Sequence, residues 1–217
     1  MTAALLTLAD SRLPAGGHTH SGGVEQAIAA GLVTDPRTLE AFLRRRLTTS
    51  GAVAGGLAAA VCRVAGDAAA LGRLDAEADA RTPAPALRLA SRQQGRGLVR
   101  VGRRAWPHPA WDALPGSPHH PLALGVAAAA GDLRPRDAAA AAVYLSVSGP
   151  ATAAQRLLAM DPITVATVTA RLAADVDAVA AAAAADVPGA ALPALTDPLL
   201  DLLAEVHADR GDRFFAS

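Results

Sequence analysis

The fold this sequence predicts is all-α: one bundle of roughly ten short helices, with a Gly/Pro-rich N-terminal connector and a loose C-terminal tail. Three observations carry that expectation. Helical periodicity and cap signals recur from end to end, and no stretch alternates polar and apolar residues with a period of two. Aromatic residues make up only 3% of the 217 positions, too few for sandwich or barrel strands, which draw on Tyr, Trp, Phe and β-branched residues. Hydrophobic residues reach 52% and charged ones 18%, which excludes a disordered chain. With alanine at about a quarter of the chain, the helices must pack Ala and Leu closely. The length suits one mid-sized core, so the expected domain is 1–208, followed by a flexible tail over 209–217.

Each element has its own signal. A short apolar helix is expected within 1–8, and a second one begins at Val24. Asp35-Pro36 is an N-cap followed by proline at the first helical position. Beyond it Leu39, Phe42, Leu43 and Leu47 share one face, and Glu40 and Arg44 form an i,i+4 pair. Gly51, Gly55 and Gly56 fall in an otherwise helical stretch. Glycine costs roughly 1 kcal/mol per helix-interior site relative to alanine, so close helix approach is expected there. Asp67 opens a helix towards Ala80, and Thr82-Pro83-Ala84-Pro85 closes it. A longer helix is expected over 86–104, a four-proline loop over 106–118 and a buried helix over 119–130. Pro135 starts the next helix, which Gly149-Pro150 should break. Asp161-Pro162 repeats the cap-then-proline device, and 163–186 reads as the longest helix. Residues 187–198, with three prolines, read as a hinge before a last short helix.

Charge is unevenly spread although twenty arginines balance twenty acids and lysine is absent. The missing lysine reads first as codon bias. Residues 1–80 carry a net −1, 81–131 a net +6 and 132–217 a net −5. Arg88, Arg92, Arg96 and Arg100 recur every fourth residue, as a slowly spiralling basic stripe. It reads first as a solvated face neutralised by the acidic C-terminal third, and second as a docking surface for an acidic protein. Zero net charge and the lack of RNA-binding or zinc-finger signatures argue against nucleic acid. Cys62 is alone, so no disulfide or cysteine metal cage is expected. The start lacks a basic segment, and no run of about 18 apolar residues exists, so the chain is expected to be cytoplasmic and to have no membrane partner.

The most unusual stretch is the connector 10–25, where Pro14 stands among Gly16, Gly17, Gly22 and Gly23, glycines able to adopt positive φ. Ser21 is a plausible N-cap for the following helix, and Glu25 suits that helix's N-terminus. No phosphate-loop or dinucleotide motif is present. His18, His20, His119 and His120 could gather a transition metal. No carboxylate lies at ligand spacing from either pair, so hydrogen-bonded loop histidines are favoured over a metal site. A hydrolase could use Ser21, His20 and Asp10, yet no nucleophile elbow appears, and Cys62 reads as a small core residue. No catalytic residues are assigned.

The same connector carries a family resemblance. Asp10-Ser-x-x-Pro14-x-Gly16-Gly17-x-x-x-Ser21-x-Gly23-Val-Glu25 is similar to the opening signature of the UreF family of urease accessory proteins, S-x-L-P-V-G-G-F-S-Y-S-x-G-L-E. His18-Thr19-His20 replaces the usual Phe-Ser-Tyr. Arg88, Ala90-Ser91, Gly95 and Leu98 resemble the family's middle helix. Tyr144 and Ala153-Ala154-Gln155-Arg156-Leu157-Leu158 resemble its later region. The family's aliphatic-Pro-Leu-Gly-Gln segment is not well reproduced over 157–162. The tail is matched loosely, by His207, Arg210 and Arg213-Phe214-Phe215.

The resemblance implies an all-α, non-catalytic scaffold that binds UreD (also called UreH) and the GTPase UreG on apo-urease. It would help nickel reach the urease active site, and it would often dimerise. No cofactor would be held stably, and the assembled complex would handle nickel. Partner contacts are expected at Pro14, Gly16, Gly17, Ser21, Gly23 and Glu25, at Arg88, Arg92 and Arg96, at Gln155 and Arg156, and at Arg210, Phe214 and Phe215. The alternative is a nickel metallochaperone that uses His18, His20, His119 and His120 directly. A third reading is an α-helical hydrolase dependent on Ser21 or His20.

Overall fold

The computed structural model describes residues 2–10, 12–185 and 192–217. Among these it contains eleven α-helices and no strand. In chain order they are α1 (Ala3–Leu8), α2 (Val24–Ala29), α3 (Pro36–Arg46), α4 (Ala52–Arg63), α5 (Ala68–Ala80) and α6 (Pro85–Ala105). They continue with α7 (His120–Ala130), α8 (Pro135–Leu157), α9 (Pro162–Arg171), α10 (Ala173–Ala183) and α11 (Pro198–Ala208). Of the expected hinge over 187–198, residues 187–191 lie outside the described residues, and 192–197 are non-helical up to the start of α11 at Pro198.

Four helices start on an aspartate that accepts a first-turn amide, as their Asp-Pro or Asp-Ala starts predict. Asp35 takes the Thr38 N–H at 2.7 Å, and Asp67, Asp161 and Asp197 cap α5, α9 and α11 in the same way. α3 and α4 form one continuous rod joined by a π-helical turn, Leu47–Gly51. A wider turn leaves backbone carbonyls poorly paired. The hydroxyls of Thr48, Thr49 and Ser50 reach back to the carbonyls of Arg44, Arg45 and Arg46 at 2.8–3.3 Å.

The centre is α4 against α8, with α7 also on α4 and α6 on α7. One apolar cluster joins α4, α6, α7 and part of α8, and a second joins α2, α3, α9, α10, α11 and the rest of α8. Close approach depends on missing side chains, as expected for the glycines of α4. A Cβ on Gly55 would lie 2.7 Å from Val143 Cγ2 of α8, and one on Gly51 2.6 Å from Ser146 Oγ.

Three expectations are corrected. Gly149-Pro150 does not break its helix, because α8 runs through Pro150. Proline leaves the carbonyl four residues back without its donor, and that carbonyl, Ser146 O, is met by Arg46 Nε at 3.2 Å. Arg46 is pushed down to about 10 by burial, so it stays charged at neutral pH and keeps its donors. The helix expected over 163–186 is two, α9 and α10, turned at the buried Leu172. No proline or glycine marks that turn. The hydroxyls of Thr167 and Thr169 bond backward to the carbonyls of Ile163 and Ala166 at 2.8 and 2.9 Å, a pattern that bends helices. The four-proline stretch 106–118 is more than a loop. It holds the 3₁₀ turn Pro109–Ala113, which buries Trp111 against Gly102, with the indole N–H on Trp106 O at 2.9 Å.

Candidate functional site

Positive φ at Gly16, Gly22 and Gly23 (88°, 61° and 85°) folds the connector into tight turns that only glycine adopts freely. The N-cap of α2 is Gly23 rather than Ser21, whose hydroxyl sits 3.4 Å from the Glu25 amide. The connector seats on α6 at Gly97, where any Cβ would strike the Ala15 carbonyl.

The tail lies on this connector. Ser21 N donates to Ser217 O at 2.5 Å, and Ala216 N donates to Thr19 O at 2.8 Å. His20 Nδ1 meets Ser217 Oγ at 2.7 Å. Beneath them Glu25, only 4% exposed, accepts the Phe214 and Phe215 amides at 2.7 and 3.0 Å, and also His207 Nε2 at 2.8 Å. Burial works against its charge, but these donors overcome it and hold the carboxyl below its usual range. Arg210 donates to Gln26 Oε1 at 3.0 Å. Sequence composition offered no signal for this clasp, because its pairs lie more than 180 residues apart.

The expected contact residues therefore divide. Ser21 and Glu25 are buried and committed to internal bonds, whereas Pro14, Gly17, Arg156 and Phe214 are exposed and Gln155 is half-buried. Phe214 is 86% exposed, and Phe215 packs on the second apolar cluster.

Within the basic stripe Arg92 is the member that ion-pairs among the described residues, and its acids belong to α5, not to the acidic C-terminal third. Arg92 bridges Asp75 and Asp79 of α5 at 3.0 and 2.8 Å and donates to Ser117 O at 2.5 Å. Arg88 donates to the carbonyls of Thr82 and Pro83, and Arg96 to Ser117 Oγ. The C-terminal acids instead pair with α3, through Arg44–Asp175 and Arg45–Asp197.

His119 is also committed inside. Its Nε2 meets Asp79 Oδ1 at 2.8 Å and its Nδ1 meets Ser91 Oγ at 3.0 Å, while the His120 amide donates to Ser91 Oγ. This serine–histidine–aspartate chain escaped sequence reading, since its members come from α6, the N-cap of α7 and α5. Arg92 occupies the same carboxylate, and the network ties three helices together. The trio Ser21, His20 and Asp10 is not assembled, since Asp10 pairs with Arg12 and His20 with Ser217. Burial pushes the Cys62 thiol up to about 11, far from a reactive thiolate at neutral pH.

His18, His20 and His120 border a central cavity of about 420 Å³, along with Arg46 and Ser91. Among the described residues no group of three or more His, Cys, Asp or Glu side chains is arranged to hold a metal ion. Burial, with His18 nearby, pushes His20 down to about 4, and burial, with His20 nearby, does the same to His120. Between that value and the unfolded 6.5, the folded chain binds fewer protons than the unfolded one. Their contribution is complete above 6.5 and is lost as pH falls towards 4. Each imidazole is expected to remove about 1.4 kcal/mol of stability per pH unit in that window. Urea midpoints measured across it check this, and a profile unchanged by His20→Gln with His120→Gln would contradict it.

The chain is similar in sequence to known proteins along its length. The UreF family pattern matches residues 33–173. A urease accessory protein UreF of Mycolicibacterium vanbaalenii is 55% identical over 215 residues, covering 99% of this chain and 98% of its own. The UreF proteins of Mycobacterium marinum and Mycobacterium tuberculosis are 54% and 50% identical over the same share of this chain. With a family match over most of its length and such identity from end to end, the chain belongs to the UreF family.

Proposed function

We propose that this protein is a non-catalytic adaptor in urease maturation. It bridges UreD/UreH and the GTPase UreG on apo-urease while nickel is delivered to the enzyme's active site. It acts in the cytoplasm, as a homodimer within that assembly. The supporting observation is the end-to-end identity to proteins named urease accessory protein UreF. The geometry is compatible with that role. Connector and tail make one joint surface, with the Phe214 ring turned out to solvent. Among the described residues no helix is long and apolar enough to cross a membrane. Direct nickel carriage by the four histidines gains no support, because His119 is buried between Ser91 and Asp79.

Co-expression with a urease operon that lacks this chain tests the reading. Supplying the chain is expected to restore urease activity and to shift the accessory proteins into a larger co-purifying complex. Equal activity without it would overturn the proposal.

A further inference from the structure

The C-terminal half of α6 and the proline-rich segment after it enclose a second pocket, of about 260 Å³. Arg96, Arg100 and Arg103 line it from one helix face, spaced i, i+4 and i+7. Val99, Leu114 and Pro115 supply apolar walls. Two of the arginines are held in place. Arg96 donates to Ser117 Oγ at 2.7 Å, and Arg103 donates to Asp112 Oδ1 at 2.6 Å and Trp111 O at 3.0 Å. Arg100, between them, is exposed and has no hydrogen-bond or ion-pair partner among the described residues. Asp112 is the one acid in 81–131, and Arg103 already occupies it. Cations near a helix C-terminus offset its dipole, but that accounts for neither the cavity nor the fixed guanidinium pair beside the unpaired one.

We propose that this pocket binds a carboxylate side chain from an acidic segment of a partner protein. Arg100 takes the carboxylate in a two-pronged bond, and Val99 and Leu114 receive the methylenes or an adjacent apolar residue. A guanidinium matches a carboxylate fork to fork. The stiff proline wall and the two tethered arginines reduce the ordering needed on binding. An arginine fork also accepts phosphate, but the apolar walls of Val99, Leu114 and Pro115 suit a carboxylate carried on a side chain. Arg100 lies about two and three helical turns beyond Arg92 and Arg88, which bond to α5 acids and to backbone carbonyls. The partner's identity rests on the adaptor reading, but the binding itself does not.

Fluorescence anisotropy of the full chain with a labelled peptide of repeating Glu-Leu-Glu-Gly tests the proposal. Saturable binding at low salt is expected, weakened about tenfold or more by Arg100→Glu and less by Arg100→Ala. Arg37→Glu, an exposed charge reversal on α3, should leave it unchanged. Equal loss with Arg37→Glu, or no loss with Arg100→Glu, would overturn the proposal. So would displacement of the peptide by inorganic phosphate or by a single-stranded oligonucleotide at matched ionic strength. The purified chain alone reports on the pocket and urease co-expression reports on the adaptor role, so either can fail while the other stands.

Discussion

Glu25→Ala is expected to destabilise the folded chain by about 3–5 kcal/mol and to release the C-terminal tail. The carboxylate accepts three donors, the Phe214 and Phe215 amides and the His207 imidazole. His207 and Glu25 are both almost fully enclosed. Removing one acceptor leaves all three donors without a partner, and each buried group left so costs about 1–3 kcal/mol, more where a charge was involved. Some of that is recovered as the tail peels away and its amides meet water. The released tail should therefore be the signature. Hydrogen exchange at Phe214 and Phe215 should accelerate, and trypsin should cut faster after Arg210 and Arg213. Glu25→Gln, which keeps one acceptor oxygen, should fall between the two. An alanine variant with an unchanged denaturation midpoint and unchanged tail exchange would show that the clasp contributes nothing.

Gly125→Ala is the second large effect, at about 1–2 kcal/mol destabilising. In open space an alanine would gain up to about 1 kcal/mol of helix propensity over glycine. At Gly125 the new methyl would sit 2.6 Å from the Ala58 carbonyl oxygen and 2.7 Å from Val61 Cβ. Both belong to the backbone or first side-chain atom of α4, so neither can swing aside. α7 must instead retreat from α4 along one of the main contacts of the fold, and overpacking of this kind costs about 1–3 kcal/mol before the propensity gain is offset. Gly72→Ala supplies the contrast. It lies inside α5 with nothing within 4 Å of a Cβ, so it is expected to stabilise by up to about 1 kcal/mol. Urea denaturation of the two variants should move in opposite directions, and movement in the same direction would refute the close-approach account.

The helices and most of their starts were legible because caps are local. Asp35, Asp67 and Asp161 each announce a helix within three residues of the bond they make. The glycines of α4 were legible as contact points because glycine in a helix otherwise has no reason to be there. What stayed hidden depended on distant partners. Pro150 reads as a breaker until Arg46, about a hundred residues earlier, is found on the carbonyl it orphans. The basic stripe reads as a face balanced by the acidic C-terminal third until α5 brings Asp75 and Asp79 to Arg92. The tail reads as polar and loose because its anchor is a single buried carboxylate near the other end of the chain. The sequence motif placed Glu25 and Ser21 among the expected contact residues, and both are buried. It could not tell that they shape the surface from inside, with Phe214 outside.

The wide turn between α3 and α4 bears on how this chain tolerates changes of length. A π turn holds one residue more than the α-helix it interrupts, and here three hydroxyls make the surplus bearable. Losing one codon among Thr48, Thr49 and Ser50, which keeps the buried Leu47 and the close-packed Gly51, would let the rod close up as an ordinary helix with both flanks still facing their neighbours. The same loss inside α4 or α8 would swing every later side chain by about 100° around the axis. This short hydroxyl-rich segment is thus the one place in the central rod where a one-residue deletion has a slot already prepared for it.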